Sequence, residues 1–473
     1  MTYNSKSKNA VEFIDHEEIM ASLDYAKQHK NDKALVEEIL AKGKLHKGIT
    51  HREAAVLAEC DDPELIQKMY DLAEEIKEAI YGKRIVMFAP LYLANHCVNG
   101  CRYCPYHAGN KAITRKKLTK EQIIQEVTAL QDMGHKRLAL EFGEDPVNIP
   151  IEYVIDCIKT VYSVKHKNGA IRRVNVNIAA DTVENFRKLK EAEIGTYILF
   201  QETYHKPTYE YVHPRGPKSN YAWHTEAMDR AMTAGIDDVG LGVLFGLYDH
   251  KYDLVGILLH AKHLEDTFGV GPHTISVPRI RSAANVDLNE FPHAVDDDTF
   301  QKIVAILRIA VPYTGMIVST RESKESRARV LRMGISQISG ASSTSVGGYV
   351  EKEKEEENSA QFDVSDTRTL DEVVHWLLEN DHIPSFCTAC YREGRTGDNF
   401  MKYAKTGTIA KMCQPNALMT LQEYLYDYAS PATKELGEKV IAKEIDLIQD
   451  EKIKTRVLEY LEELKQGQRD FRV

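Results

Sequence analysis

Apolar residues recur at helical intervals early in the chain, as in Val36, Ile39 and Leu40 and later Leu65, Ile66, Met69, Leu72 and Ile76, so residues 1–83 predict an N-terminal helical extension. From Arg84 the pattern changes to short apolar runs divided by amphipathic segments. The runs are 85–93, 137–141, 174–179, 197–200, 239–245, 274–277, 315–318 and 335–338. Helix starts stand between them: Thr119 with Gln122, Asp181 with Glu184 and Asp298 with Gln301 fit a capping box or its Asp variant. Strands alternating with helices imply a parallel sheet, and eight units suit a TIM-type (β/α)8 barrel of roughly 250 residues. The fold class expected is therefore α/β, with the barrel over 84–350; an open doubly wound sheet is the alternative. The Glu/Lys-only run 351–357 reads as a solvated linker, and 351–473 as a mostly helical C-terminal domain.

Composition removes several classes of function. Hydrophobic residues make up 43% and charged residues 28% of 473, which is globular rather than disordered, collagen-like or coiled-coil. Lys and Arg number 61 against 71 Asp and Glu, so no global attraction draws the chain to nucleic acid or anionic lipid. The longest uncharged stretches, 85–101 and 333–350, are broken by Asn, His, Gly or Ser and do not read as membrane spans. Residues 1–9 are polar and lack an apolar signal region, so a cytoplasmic location is expected. The eight cysteines are then expected as reduced thiols, metal-binding or catalytic where they cluster. Cys60 and Cys157 fall in helical patterns and read as small buried hydrophobes.

Cys97, Cys101 and Cys104 stand in CVNGCRYC on the loop leaving the first strand, where barrel chemistry sits. A zinc site usually gathers two separated pairs of ligands, whereas three close cysteines can bind three irons of a [4Fe–4S] cluster and leave the fourth open. An open iron can take the amino and carboxylate groups of S-adenosylmethionine. The alternative is a zinc knob or free buried thiols. The motif, with aromatic Tyr103 before its last cysteine, resembles that of the radical S-adenosylmethionine superfamily. The resemblance implies cofactor contacts at Tyr103, at Glu144 in FGED, at Glu202 in FQET and at Arg230 in DRAMTAG. Phe142 replaces the first glycine of the family's GGE. In bland readings Glu144 caps a helix and Arg230 is a solvated helix residue.

Cys387 and Cys390 form C-x2-C, and Cys413 follows after twenty-two residues, with Gly394, Gly397 and Gly407 loosening the segment. Spacing leaves a structural zinc with His382 open as the alternative. Taken with the first motif and the segments FQETYH, HTISVPRIR and STRES (319–323), this tail resembles the tyrosine lyases of [FeFe]-hydrogenase maturation over nearly the whole chain. The related thiazole-pathway tyrosine lyases share the barrel and lack such a tail.

What the resemblance implies is an auxiliary [4Fe–4S] cluster on the three tail cysteines, carrying a labile iron held partly by a histidine. His263 is the first candidate, with His260 and His273 behind it. The implied reaction cleaves L-tyrosine to p-cresol and dehydroglycine, which yields carbon monoxide and cyanide for an Fe(CO)2CN unit. An electron donor and other maturation proteins, as acceptors of that unit, are the implied partners. For the substrate carboxylate the sequence offers Arg321 and Arg279, then Arg281, since a guanidinium grips a carboxylate with two parallel hydrogen bonds. Ser342 and Ser343 are further possible contacts. The competing functions are a thiazole-type lyase and a non-enzymatic iron–sulfur carrier or scaffold.

Overall fold

A computed structural model describes residues 2–283, 286–350, 358–405 and 408–473. The linker run 351–357 and Gly407 lie outside the described residues.

Eight parallel strands form the barrel: β1 (Arg84–Ala94), β2 (Arg137–Phe142), β3 (Arg173–Asn177), β4 (Tyr197–Ile198), β5 (Val239–Gly242), β6 (Thr274–Ser276), β7 (Gly315–Val318) and β8 (Gln337–Ser339). Each pairs with the next, and β8 closes the ring on β1 through Val86–Gln337, Met87–Ile338 and Phe88–Ser339. Every run expected as a strand is one. Their near-continuous apolar character follows from burial on both faces, as parallel strands covered by helices require. The closed ring settles the choice between barrel and open sheet.

Helix starts are displaced from two of the three expected positions. Thr119 and Gln122 do form a reciprocal capping box. The Asp181 signal moves by one residue, because Thr182 accepts from Asn185 N while Asp181 braces Thr182 N and the Asn185 amide. The Asp298 signal moves by two, because Asp296 caps through Thr299 N. In each case the capping oxygen belongs to the residue whose backbone is still extended.

The first five helices, from Ala10–Phe13 to Pro63–Tyr81, pack on the barrel helices His250–Phe268 and Asp297–Ala310. Buried Arg308 locks this junction: it donates to the carbonyls of Pro312, Thr314 and Gly334 and stacks on the Tyr81 ring at 4.9 Å. After the barrel come the helices Leu370–Glu379, Thr408–Asp427, Pro431–Asp446 and Glu451–Lys465. Two features were not expected. One is a short hairpin, Lys165–His166 with Gly169–Ala170. The other is a ninth strand, β9 (Ile383–Ser385), parallel to the start of β1. Val86 pairs with both Gln337 and Ser385, so β9 lies on the β2 side of β1, below the first β2 residue. It thereby brings the tail cysteines to the N-terminal mouth of the barrel.

Candidate active site

The first cysteine triad sits on a loop that is folded around its own polar groups. Buried Asn95 donates to the Thr114 carbonyl and accepts from Lys116 N. Arg115 donates to the carbonyls of Asn95, Tyr106 and His107, turning the loop around one guanidinium. Gly100 N and Arg102 N then tie it to the carbonyls of Arg215 and Val212. The result is a cavity of about 1120 Å³, open mouth included, at the C-terminal end of the strands. Cys97, Cys101, Cys104, Tyr103, Glu144, Glu202, Lys218 and Arg321 line it.

Burial, with the neighbouring thiols, pushes Cys101 and Cys104 up, Cys104 to about 12, while the Lys218 ammonium opposes the shift. Such thiols ionise when a metal replaces their protons. Among the described residues no three His, Cys, Asp or Glu side chains converge tightly enough to hold one metal ion. Three thiols spread around one cavity suit a cube, in which each cysteine takes a different iron.

The carboxylates beside the triad are fixed by backbone geometry. Gly143 precedes Glu144 because any Cβ there would meet the His96 carbonyl oxygen at 2.2 Å. This close approach draws Glu144 against the cysteine loop, where Val98 N donates to its carbonyl and the Asn99 amide to its carboxylate. Burial raises the Glu144 carboxyl; the Asn99 hydrogen bond and Lys218 act against it. Glu202 follows β4 with φ of +70°, a left-handed backbone uncommon for a side chain of this size. Asp253 supports that turn by accepting from Thr203 Oγ1 at 2.9 Å and Tyr204 N at 2.7 Å. The Glu202 carboxylate accepts from Lys218 Nζ at 2.8 Å, and the Lys218 ammonium stands 5.8 Å from the Tyr103 ring. The Tyr103 hydroxyl shares a hydrogen bond of 2.8 Å with His213 Nε2.

Arg230 is placed otherwise than expected. It donates to the carbonyls of Asp181 and Trp223, lies 3.7 Å over the Trp223 ring and does not line the cavity.

Deeper in the barrel the cavity continues past Tyr92, Glu141, Asn177, Arg321 and Phe362 to Phe88, Ser276, Ile317 and Ser339. Arg321 stacks on the Phe362 ring at 3.9 Å; its Nε is buried without a partner, and among the described residues it has no carboxylate partner. A guanidinium so placed is available to a substrate carboxylate. Arg279 is not, which corrects the expectation for it. Its side chain is buried against Glu322 and Asp297, with Nε 3.0 Å from Glu322 Oε1 and Nη2 2.7 Å from Asp297 Oδ1. Arg281 reaches the same Glu322 at 2.6 Å. Ser342 and Ser343 are outside the cavity lining. Burial raises the Glu141 carboxyl to about 8 against the opposing Asn177 hydrogen bond and Arg321 charge.

The second triad occupies the other end of the barrel. Cys387 follows β9, and its carbonyl accepts from Arg137 at the start of β2. Cys390 lies on the helical turn Ala389–Arg392, and Cys413 on the helix Thr408–Asp427. The hydrogen bond from Cys390 lowers the Cys413 thiol to about 6 despite burial, and Arg84 and Arg395 add to the effect. The Tyr391 ring stands 5.2 Å from the Arg137 guanidinium and 5.0 Å from that of Arg173.

The histidine assignment changes. His263 is fully buried under the N-terminal segment, stacked on Phe13 at 3.8 Å, with Nδ1 on the Ser5 carbonyl and Nε2 on Asp229. Both ring nitrogens are engaged. His260 is occupied by Tyr204 on Nδ1. His273, just before β6, is the histidine beside the tail: its Nε2 is 3.4 Å from the Tyr391 hydroxyl and its ring 5.1 Å from that of Phe400. His382, the zinc alternative, lines a separate cleft with Lys77 and Arg332. Sequence reasoning also missed Asn99, inside the first cysteine motif, and Lys218, Glu141, Gln361 and Phe362, which line the cavity without belonging to any motif.

A parallel barrel with three thiols on its first βα loop, carboxylates after β2 and β4 and a half-buried lysine beside them defines a radical S-adenosylmethionine enzyme. Residues 91–258 match the model of the Radical SAM superfamily, and 276–383 that of the Biotin and Thiamin Synthesis associated domain. A crystal structure of HydG, a maturase of the [FeFe]-hydrogenase, is 55% identical, covers 98% of this chain and 100% of its own, and superposes with a TM-score of 0.95. HydG from Carboxydothermus hydrogenoformans is 38% identical over 96% of this chain and 99% of its own, with a TM-score of 0.83. The 2-iminoacetate synthase of Escherichia coli (strain K12) is 29% identical, over 65% of this chain and 79% of its own. The chain belongs to the HydG/ThiH-like family of radical S-adenosylmethionine enzymes, and it is a lyase.

Proposed function

We propose that this enzyme is the tyrosine lyase of [FeFe]-hydrogenase maturation. It cleaves L-tyrosine to p-cresol and dehydroglycine at the C-terminal mouth of the barrel, and the tail turns dehydroglycine into carbon monoxide and cyanide for an Fe(CO)2CN unit. The observation that carries the reading is the pair of cysteine triads at opposite mouths of one barrel, with the unpaired Arg321 guanidinium in the cavity between them.

A [4Fe–4S] cluster bearing S-adenosylmethionine, when bound, supplies the 5′-deoxyadenosyl radical. Cys97, Cys101 and Cys104 would hold that cluster, and Glu144, Glu202 and Tyr103, which line the same cavity, would bind the cofactor. Arg321 grips the tyrosine carboxylate, which orients the amino group toward the cofactor's side of the cavity; loss of one amino hydrogen atom lets the Cα–Cβ bond break, and the 4-hydroxybenzyl fragment takes up one electron from the reducing partner and one proton to leave as p-cresol. The walls formed by Tyr92, Phe200, Pro278 and Phe362 keep water from dehydroglycine, which it would hydrolyse to glyoxylate and ammonia. At the far mouth Cys387, Cys390 and Cys413 would hold an auxiliary cluster, and His273 would hold the labile iron that is the reaction's cargo. Eight unpaired cysteines fit a reducing cytoplasm.

The test is anaerobic reconstitution with iron and sulfide, reduction, and supply of S-adenosylmethionine and tyrosine. Formation of 5′-deoxyadenosine, p-cresol, carbon monoxide and cyanide is expected. Without p-cresol the lyase reading of this site is wrong; p-cresol with glyoxylate and no carbon monoxide would move the enzyme to the thiazole-pathway lyases.

A further inference from the structure

Asp238 and His273 come from the same end of adjacent strands. Asp238 immediately precedes β5 and His273 immediately precedes β6, and the barrel ladder holds both backbones. Tyr197 N donates to the Asp238 carbonyl at 3.1 Å, His273 N to the Val239 carbonyl at 2.8 Å, and Gly315 N to the His273 carbonyl at 2.9 Å. Neither residue can shift without disturbing a barrel strand. Across this edge the His273 Nδ1 stands 3.4 Å from Asp238 Oδ1, with the two side chains 13% and 2% exposed.

The tail closes on this pair. Gly397, the first residue of the helix Gly397–Lys405, donates its N–H to the same Asp238 Oδ1 at 2.9 Å. The approach depends on the missing side chain: a Cβ on Gly397 would meet Asp237 Cβ at 2.9 Å, and its φ of +52° suits glycine. Thr396 Oγ1 donates to Asp237 beside it at 3.3 Å. At the other edge of the imidazole, Nε2 faces the Tyr391 hydroxyl at 3.4 Å, which also shares a hydrogen bond of 3.0 Å with Thr196 Oγ1. Tyr391 follows Cys390, so Nε2 is the nitrogen turned toward the tail. Asp238 Oδ2 is buried with no hydrogen-bond partner among the described residues. A carboxylate kept in such a place needs a reason, since its burial is unfavourable wherever its oxygens are not fully used.

We propose that Asp238 is a positioning residue for the iron cargo: by accepting the Nδ1 proton of His273 it fixes the tautomer and ring angle that leave the Nε2 lone pair toward the tail. The inference rests on the reading of His273 as the holder of the labile iron. Through the bond to Gly397 the same oxygen also places the segment that joins Cys390 to Cys413, so the histidine and the thiol-bearing segment are set against one atom. A histidine that binds a metal through one nitrogen ordinarily donates from the other to such an oxygen, and loss of that partner weakens metal binding by about 10- to 100-fold.

The experiment titrates ferrous ion alone, without S-adenosylmethionine or tyrosine, into the full chain reconstituted with both clusters, and reads the Kd from the EPR signal of the auxiliary cluster. Asp238→Ala is expected to raise that Kd by about tenfold. Asp238→Asn keeps one oxygen for Gly397 N and His273 Nδ1 and should stay within about threefold of the parent. His273→Ala should raise the Kd at least as far, and Asp238→Ala added to it should change nothing more, because a residue that acts through the imidazole has nothing left to act on. A carboxylate that only braces the tail would have the same effect with and without the imidazole. That result overturns the positioning role, as does a parental Kd in Asp238→Ala. If Asp238→Ala does not take up the auxiliary cluster, Asp238→Ser, shorter and still polar, carries the same expectation through the same cycle. A parental Kd in His273→Ala refutes the reading of the histidine itself, and the inference falls with it.

Discussion

The two mouths of the barrel each carry three thiols, yet they are built for opposite tasks. At the C-terminal mouth the triad faces a wide cavity bordered by Glu144 and Glu202, with the Lys218 ammonium among them. At the N-terminal mouth the triad sits in a collar of guanidinium groups from Arg84, Arg137, Arg173 and Arg395, two of them facing the Tyr391 ring. Carboxylates and one cation suit a site that must hold a zwitterionic, positively charged sulfonium cofactor. A cationic collar suits the capture of anions, and both cyanide and the dehydroglycine carboxylate are anions. The difference is one of surroundings rather than ligand type, so neither spacing nor cysteine count would reveal it.

The largest effect should come from the first mouth. Cys97→Ala, Cys101→Ala or Cys104→Ala each removes a thiolate from the radical-generating site, and every product should fall to background. Near-parental 5′-deoxyadenosine in any of the three would break the assignment of that mouth. The second mouth should fail selectively. Cys387→Ser with Cys390→Ser is expected to keep 5′-deoxyadenosine and p-cresol while iron-bound carbon monoxide and cyanide fall at least tenfold and glyoxylate appears. A structural zinc tail predicts another pattern, joint loss of p-cresol and thermal stability, because a structural metal contributes folding energy. Infrared bands, p-cresol and Tm on one double variant separate the two.

Much of this comparison was legible in the sequence, and its limits are physical. The eight strands could be read because buried parallel strands are apolar throughout, even where only Tyr197 and Ile198 remain in the ladder of β4. β9 could not: it is three residues long and contains Pro384, and its partner lies almost 300 positions earlier in the chain. The six clustered cysteines were visible from spacing alone. The histidine that stands beside the tail was not, because His260 and His263 share a helical face directed inward, and only the N-terminal Phe13, packed over that face, shows that it is occupied. Arg279 and Arg321 looked alike as strand-end cations. Glu322 separates them by taking up Arg279 and Arg281 and leaving Arg321 to the cavity.

Between the two mouths stands Arg321, and Arg321→Lys should test whether the cavity binds tyrosine by its carboxylate. Lysine keeps the charge and loses the two-pronged geometry. The tyrosine KM is expected to rise about tenfold, worth roughly 1.4 kcal/mol, with S-adenosylmethionine affinity little changed. An unchanged KM would move the carboxylate elsewhere.

The two histidines give a paired and smaller test. His273→Ala should lower iron-bound carbon monoxide and cyanide severalfold at near-parental Tm and p-cresol. His263→Ala should do the reverse: it leaves the chemistry intact and removes the hydrogen bonds to Ser5 and Asp229 beneath Phe13, costing about 1–3 kcal/mol. Interchanged phenotypes would restore His263 as the ligand.

The smallest expected effect belongs to Glu141, midway along the cavity. Its carboxyl is raised by burial to about 8 in the folded chain, whereas an unfolded glutamate titrates near about 4.3. Between those values the folded state keeps a proton that the unfolded state releases, so folding is progressively penalised as pH rises. The sign is fixed by that proton: the contribution is fully favourable below about pH 4 and is lost as pH climbs through about 8. Glu141→Gln holds a neutral polar group there at every pH. The fall of Tm between about pH 5 and pH 8 should therefore be shallower in the variant, by an amount on the order of a few degrees. Parallel Tm curves for the two proteins would show that Glu141 is charged at neutral pH, compensated by Arg321 and Asn177. In that case Arg321 would already be paired with a carboxylate of the chain and less available to the substrate's.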